Sequence, residues 1–395
     1  MSSSTKSQDN QQHIQEHPTM SKTEINAKVD EIVKSRLETT QPLLLESPLP
    51  VIDFSQMVVG KEIGAGSYSC AYDLKRIGGK QKEASKAFIL KKLSKKVVAN
   101  PLMFAACATD LVQEGKILAF LNHPNVVKIK AWSGEDMVDT YLKGSRDRCY
   151  LLIERLDQNL EHQMAKWKEA KPTIWNLPAT RRDIEKEIEL SKMDKLIHLA
   201  KALQHLHRNN VLHRDLKPQN IGFDSSGNLK VFDFDLARVL PASEGEDTVF
   251  HMTRNVGSPR YMATEVKNGQ PYNLKADVYS FGLLTYQIFT GKIPWKGLDY
   301  NWSQQNKAIP KNWPSELRLE LENCQSPYPN QRPNMNLLEK MLGQDLSSKD
   351  DNDIVDEGDI MDLGLCGVTL PECSYRDFED LFGLEISNDP NDPNV

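Results

Sequence analysis

Ten residues constrain this chain more than any others: Val211-Leu212-His213-Arg214-Asp215-Leu216-Lys217-Pro218-Gln219-Asn220. An apolar pair leads into a loop that holds one acid, two amides and three basic side chains within eight residues. A surface turn can be polar without purpose, but it rarely sets His-Arg-Asp ahead of Lys and Asn at these offsets. The loop gains meaning only if the remaining chain supplies matching parts in order.

At 395 residues the chain has room for a sizeable core and for two lobes or domains. Hydrophobic content of 39% and charged content of 26% belong to an ordinary globular protein rather than a disordered or membrane one. The net charge of -6 speaks against general nucleic-acid binding. Six cysteines at positions 70, 107, 149, 324, 366 and 373 show no metal-ligand spacing and read as reduced thiols. The N-terminus lacks the charged-then-apolar layout of a secretory signal, and no run approaches ~18 apolar residues. The expectation is a protein with no membrane association, located in the cytoplasm, with the nucleus left open.

Taken in order, residues 1–52 are rich in Ser, Gln and Thr and read as a disordered extension, with a short helical spacing between Lys22 and Leu37. A strand at Met57–Ile63 then meets a Gly-bearing turn, Gly64-Ala65-Gly66-Ser67-Tyr68-Ser69, and a second strand. Glycines let backbone amides approach a phosphate, although a tight hairpin explains them equally well. Ala87–Leu93 reads as a buried strand ending in lysines, and Phe104–Leu121 as a helix carrying Glu114. Strands follow near Val126–Trp132 and Cys149–Glu154. Next comes a polar insertion near 165–190 and an amphipathic helix at Asp194–His207 that runs into the opening loop. Beyond Asp277 apolar helices alternate with Pro- and Gly-bearing turns, and from Gln344 the chain becomes an acidic tail that cannot fold alone.

With these parts aligned, the segment from 53 to 343 resembles a eukaryotic protein kinase domain of the Ser/Thr type, with features of the tyrosine-kinase-like group at Asp277–Gly282 and Cys324–Met335. The resemblance implies an α+β, bilobal fold: a small antiparallel β lobe with one main helix (53–156) and a larger, mainly helical lobe (157–343). The tail then spans 344–395. It also implies ATP and Mg2+ as cofactors and protein substrates with Ser or Thr acceptors.

Residue by residue, Ile63, Gly64, Ala65, Gly66, Ser67, Tyr68, Ser69, Cys70 and Ala71 match the loop that covers the ATP phosphates, with Ser69 in place of its third glycine. Lys91 matches the phosphate-binding strand lysine, with Lys92 its neighbouring rival, and Glu114 the helix carboxylate that pairs with it. Ile153 falls at the gatekeeper position, and the backbones of Glu154 and Leu156 would meet adenine. Asp215 matches the catalytic base, Lys217 the residue that meets the transferring phosphate, and Asn220 and Asp233 the metal ligands. His213 reads as a brace of the loop. Arg214 marks control by phosphorylation in the family, with Thr248 and Thr253 as candidates.

The chain departs from the pattern at Asp235, where the family has the glycine after Asp233-Phe234, and at Thr264, where it has a proline. Glu265 and Arg332 match a distant ion pair, and Asp277 a brace of the catalytic loop. A catalytically silent scaffold on the same fold is the rival reading. The complete set Lys91, Glu114, Asp215, Asn220 and Asp233 speaks against it. The segment Gly257–Glu265 speaks against a small-molecule kinase. Apolar residues set in acid at 375–384 are a candidate docking segment for a partner or for the domain itself.

Overall fold

The computed structural model describes residues 23–25, 27–29, 31–32, 49–66, 68–77, 80–81, 87–134, 148–170, 178–241, 247–294 and 313–347. The first lobe is a curved antiparallel sheet. Its main strands are β1 (Met57–Ala65), β2 (Ser69–Ile77), β3 (Phe88–Leu93), β4 (Ile129–Trp132) and β5 (Tyr150–Glu154). They pair in the order β1-β2-β3-β5-β4, with Lys80–Gln81 added beside β2. The Gly66 N–H closes the β1–β2 turn on the Ser69 carbonyl at 2.8 Å.

Two helices follow β3: α1 (Lys95–Ala99) and α2 (Pro101–Phe120). Asn100 starts α2 by accepting from the N–H groups of Leu102 and Met103 at 3.0 and 3.1 Å, and Pro101 presets the first turn. The helix is buried nearly all round, so its register depends on how closely it approaches the sheet. Gly115 permits that approach: a Cβ there would lie 3.1 Å from both Leu151 and Trp132. Its neighbour Glu114 is thereby carried against β3.

The second lobe is mainly helical. It contains β6 (Gln158–Asn159), α3 (Leu160–Glu169), α4 (Pro178–Arg208) and β7 (Val211–Leu212), followed by β8 (Ile221–Phe223), β9 (Leu229–Val231) and β10 (Arg238–Val239). The helices α5 (Thr264–Lys267), α6 (Lys275–Thr290), α7 (Ser315–Asn323) and α8 (Met335–Ser347) complete it. The core runs through α4 and α6, where Leu199, Leu203, Phe281 and Leu284 are fully buried. Helix α6 stops at Gly291, whose φ of 66° is the left-handed C-cap that glycine adopts without strain. This is the expected α+β bilobal architecture.

Three sequence expectations change. The stretch read as an insertion with some helix holds most of the charged first half of α4, one continuous helix of 31 residues. Its Arg181–Glu185 pair is an exposed i,i+4 contact at 3.2 Å, and Trp167 of α3 donates to Ser191 at 3.2 Å, so an exposed polar face hid an ordinary helical span. The extension expected over 1–52 includes structured residues. Ile52 N–H donates to Trp132 O, and Trp132 N–H to Pro50 O, because the edge strand β4 has backbone groups left to pair. Helical residues also lie between 23 and 32, with Val29 buried. At the other end, α8 continues to Ser347, beyond the expected boundary at 343. The rest of the acidic tail, from 348 on and including 375–384, lies outside the described residues.

Candidate active site

One cleft collects most of the candidate residues. Its sheet side is formed by Ile63, Gly64, Gly66 and Tyr68 to Ala71 of the β1–β2 hairpin, and its floor by Ile89, Ile153, Glu154 and Leu156. Lys91, Asp215, Lys217, Asp233 and Asp235 supply charge at one end. Ala65 pairs with Cys70 and is exposed outside the lining, and Ser67 lies outside the described residues.

Strand alternation separates Lys91 from Lys92, because successive residues face opposite sides of a sheet. Lys91 sits inside, opposite Ala71 on β2 and Leu151 on β5. Its Nζ donates to both Glu114 oxygens at 2.9 Å, to Asp233 Oδ1 at 2.9 Å and to Asp235 Oδ1 at 2.7 Å. Lys92 turns the other way and lies 4.7 Å from the Phe54 ring centre. Of the two lysines, Lys91 is the one that lines the cleft.

Burial alone would lower the Lys91 pKa, but Asp233, Asp235 and Glu114 outweigh it and hold it well above the usual lysine range. Burial also raises the Asp233 carboxyl, yet Lys91 and Lys217 bring it below the ordinary value. Asp235 goes the other way: burial and the crowding Glu114 carboxylate push it well above the ordinary value. Three acids share one ammonium.

Glu114 is 1% exposed and also accepts from the Phe234 N–H at 3.2 Å. Phe234 is fully buried, with its ring centre 4.8 Å from that of His213. Helix α2, the Asp233–Asp235 segment and the His213–Asn220 loop are thus joined through two side chains. Asp233 adopts φ 65°, a left-handed conformation that costs a non-glycine residue energy. Asp235 does not have positive φ, so an aspartate fits there without the backbone strain that a glycine position can impose.

The Asp215 carboxylate is fixed by three donors. Oδ1 accepts from the Ser258 N–H at 2.8 Å, and Oδ2 from Lys217 Nζ at 2.7 Å and Asn220 Nδ2 at 2.9 Å. Lys217 also donates to Ser258 Oγ at 3.0 Å. Beneath the loop, Asp277 accepts from the backbone N–H groups of His213 and Arg214 at 2.8 and 3.0 Å, as the brace reading expects. His213 is fully buried with Nε2 3.1 Å from Phe232 O, which suits a brace. Arg214 donates to Leu236 O at 2.5 Å and to the Tyr272 hydroxyl at 3.1 Å. Tyr272 in turn donates to Thr253 O at 2.9 Å, while Thr248 and Thr253 are both exposed.

The structure brings Lys91, Glu114, Asp233 and Asp235 together, and separately Asp215, Lys217 and Asn220. Asn220 hydrogen-bonds to Asp215 rather than to Asp233. Sequence reasoning missed Ser258, which sits in Gly257-Ser258-Pro259, a stretch used only to argue against a small-molecule kinase. It also missed Val127 and Phe232, whose single apolar side chains carry no pattern of their own. Among the described residues, the carboxylates of Glu114, Asp233 and Asp235 form the one group of three whose ligand atoms lie within 4.8 Å of one another.

Comparison with known proteins agrees with this geometry. The family model described as protein kinase domain matches residues 57–349. The dual specificity protein kinase pyk3 of Dictyostelium discoideum is 40% identical over 149 residues, which cover 36% of this chain and 11% of that protein. Serine/threonine-protein kinase ATG1b of Arabidopsis thaliana is 28% identical over 275 residues, covering 67% of this chain and 32% of its own. Ribosomal protein S6 kinase alpha-3 of Homo sapiens is 29% identical over 297 residues, covering 74% and 34%. The chain spans about a tenth to a third of the length of these relatives. A match over most of its length, with the motifs in one cleft, leads to one conclusion: the chain belongs to the protein kinase domain family.

Proposed function

We propose that this protein is an active Ser/Thr protein kinase that transfers the γ-phosphate of Mg-ATP to protein hydroxyls. The observation that carries this reading is the buried Lys91–Glu114 pair opening on the same cleft as Asp215 and Asp233. Lys91, Asp215 and Asp233 facing one cleft favour catalysis over a silent scaffold.

The residues present fit both cofactors. Ile63, Ala71, Ile153 and Leu156 offer an apolar lining for a purine, and the glycines before Ser67 leave room for phosphates. The Asp233 carboxylate and the Asn220 amide oxygen are the hard donors that magnesium takes. When bound, the metal neutralises phosphate charge.

The chain's own residues do the rest. Lys91 binds phosphate oxygens, and Glu114 holds it in place. Asp215, held by Ser258 and Asn220, accepts the hydroxyl proton at its carboxylate. Lys217, on the same carboxylate, meets the transferring phosphate. Its place two residues after Asp215 supports Ser/Thr acceptors. Membership of the tyrosine-kinase-like group rests on residues 277–282 and 324–335 alone. The acidic tail is a docking segment in this reading, and deletion of 345–395 should reduce partner capture.

Radiolabelled ATP supplied with magnesium to an array of Ser, Thr and Tyr peptides tests the proposal. Label on Ser and Thr peptides is expected. An array without label would favour the scaffold, and label confined to Tyr would overturn the acceptor class.

A further inference from the structure

The Lys91 ammonium is over-subscribed. It has three N–H donors and four acceptor oxygens within 2.9 Å: two from Glu114, one from Asp233 and one from Asp235. A nucleotide phosphate can reach it only by replacing one of them. Glu114 is nearly inaccessible and is tied to the Phe234 N–H. Asp233 is as exposed as Asp235, with its side chain at 30%, but in the proposed function it stays to hold metal. Asp235 has the shortest contact, 2.7 Å, on a side chain 29% exposed that lines the cleft. Its displacement frees a Lys91 donor and separates the Asp235 carboxyl from the neighbouring Glu114 carboxyl.

Resting on that proposed function, we propose that Asp235 is a positioning residue that stands in for phosphate. Its carboxyl occupies the Lys91 donor direction used by the nucleotide and keeps the ammonium aimed into the cleft until phosphate displaces it. The displacement breaks one charge-assisted hydrogen bond and makes another, and it also brings phosphate beside an acidic side chain. The consequence is selective weakening of phosphate-bearing ligands. A nucleoside fills the apolar slot without touching Lys91 and is indifferent to Asp235.

Binding of ATP and of adenosine to the full chain, by calorimetry with and without magnesium, separates the possibilities. The variants are Asp235→Ala and Asp235→Asn. The Asn variant keeps the side-chain volume and remains informative if the Ala variant does not fold. Asp235→Ala should bind metal-free ATP about tenfold more tightly, the scale of one charge-assisted hydrogen bond. Asp235→Asn should move the same way by less, because an amide oxygen is a weaker acceptor. Adenosine affinity should not change, and KM for ATP should fall more than kcat changes.

Unchanged or weaker ATP binding overturns the proposal. Loss seen only with magnesium makes Asp235 a metal ligand and overturns it too. Adenosine tightened equally would signify a general reshaping of the cleft, which contradicts it. A wild-type chain that binds neither ligand instead removes the nucleotide-binding reading on which the inference stands.

Discussion

Arg332 grips Glu265 with two guanidinium nitrogens, at 2.6 and 2.9 Å, and both residues are buried. The same arginine donates to Lys275 O at 2.9 Å and to Ser326 O at 2.9 Å, which ties α5, α6 and the turn before α8 together. Removing one partner leaves a buried charge without its counter-ion. Arg332→Met should therefore cost about 3–5 kcal/mol in denaturant unfolding. The double variant with Glu265→Gln should cost less than the sum of the two single changes. Additive losses would show that the pair is not coupled.

Gly257 has φ 95°, and a Cβ there would sit 2.2 Å from the Arg214 carbonyl oxygen and 3.4 Å from Asp215 Oδ1. Gly257→Ala must push the segment off the catalytic loop and take the Ser258 N–H away from Asp215. A displacement of that size lowers kcat by about a hundredfold. Nucleotide affinity should barely change, because the shift lies at the acceptor side of the cleft. Steady-state kinetics with ATP titration check both halves.

Strand alternation makes the two lysines a controlled pair. Lys91→Met should lower phosphoryl transfer by about a hundredfold or more, because the buried charge facing phosphate is lost. Lys92→Met should stay within about twofold, since its contact with Phe54 lies on the other face of the sheet. Equal losses from both would contradict the assignment.

His123 is pulled down to about 4, first by burial and then by the neighbouring His205, whose ring centre is 4.9 Å away. Its Nδ1 accepts from the Asn125 N–H at 3.1 Å, which also favours the neutral ring. A base depressed by folding binds its proton more readily in the unfolded chain. Its contribution to stability is complete above the ordinary histidine value of about 6.5 and declines as pH falls toward 4. Urea midpoints measured from pH 7.5 to 4.5 should fall, and His123→Asn should flatten part of that slope.

How much could be read before the fold depended on whether a residue's meaning was local. The motif residues have fixed offsets, so Asp215, Lys217, Asn220 and Asp233 were legible as a set, and the brace from Asp277 to His213 and Arg214 followed. Lys91 was preferred to Lys92 by its place after Phe88-Ile89-Leu90, and the sheet then put the two on opposite faces. The first half of α4 was misread because its exposed, charged residues carry no apolar stripe, and helical support there comes from i,i+4 pairs and from packing against α3. Ser258 was invisible for another reason: its backbone N–H binds Asp215 across 43 positions, and any residue but proline could supply that donor. The departure at Asp235 was legible as a substitution. Its effect on Lys91 was not, since that depends on a rotamer and a 2.7 Å contact.

In the proposed function Asp215 accepts the proton of a protein hydroxyl in a cleft that binds ATP through other residues. The direct measurement is the initial rate of γ-phosphate transfer to a Ser peptide by the wild type and by Asp215→Asn, alongside each protein's ATP affinity. General-base loss should lower the rate by about 10²–10⁴-fold, while ATP affinity stays within about twofold. Transfer by the variant at the wild-type rate, or no transfer by either protein, would contradict the account.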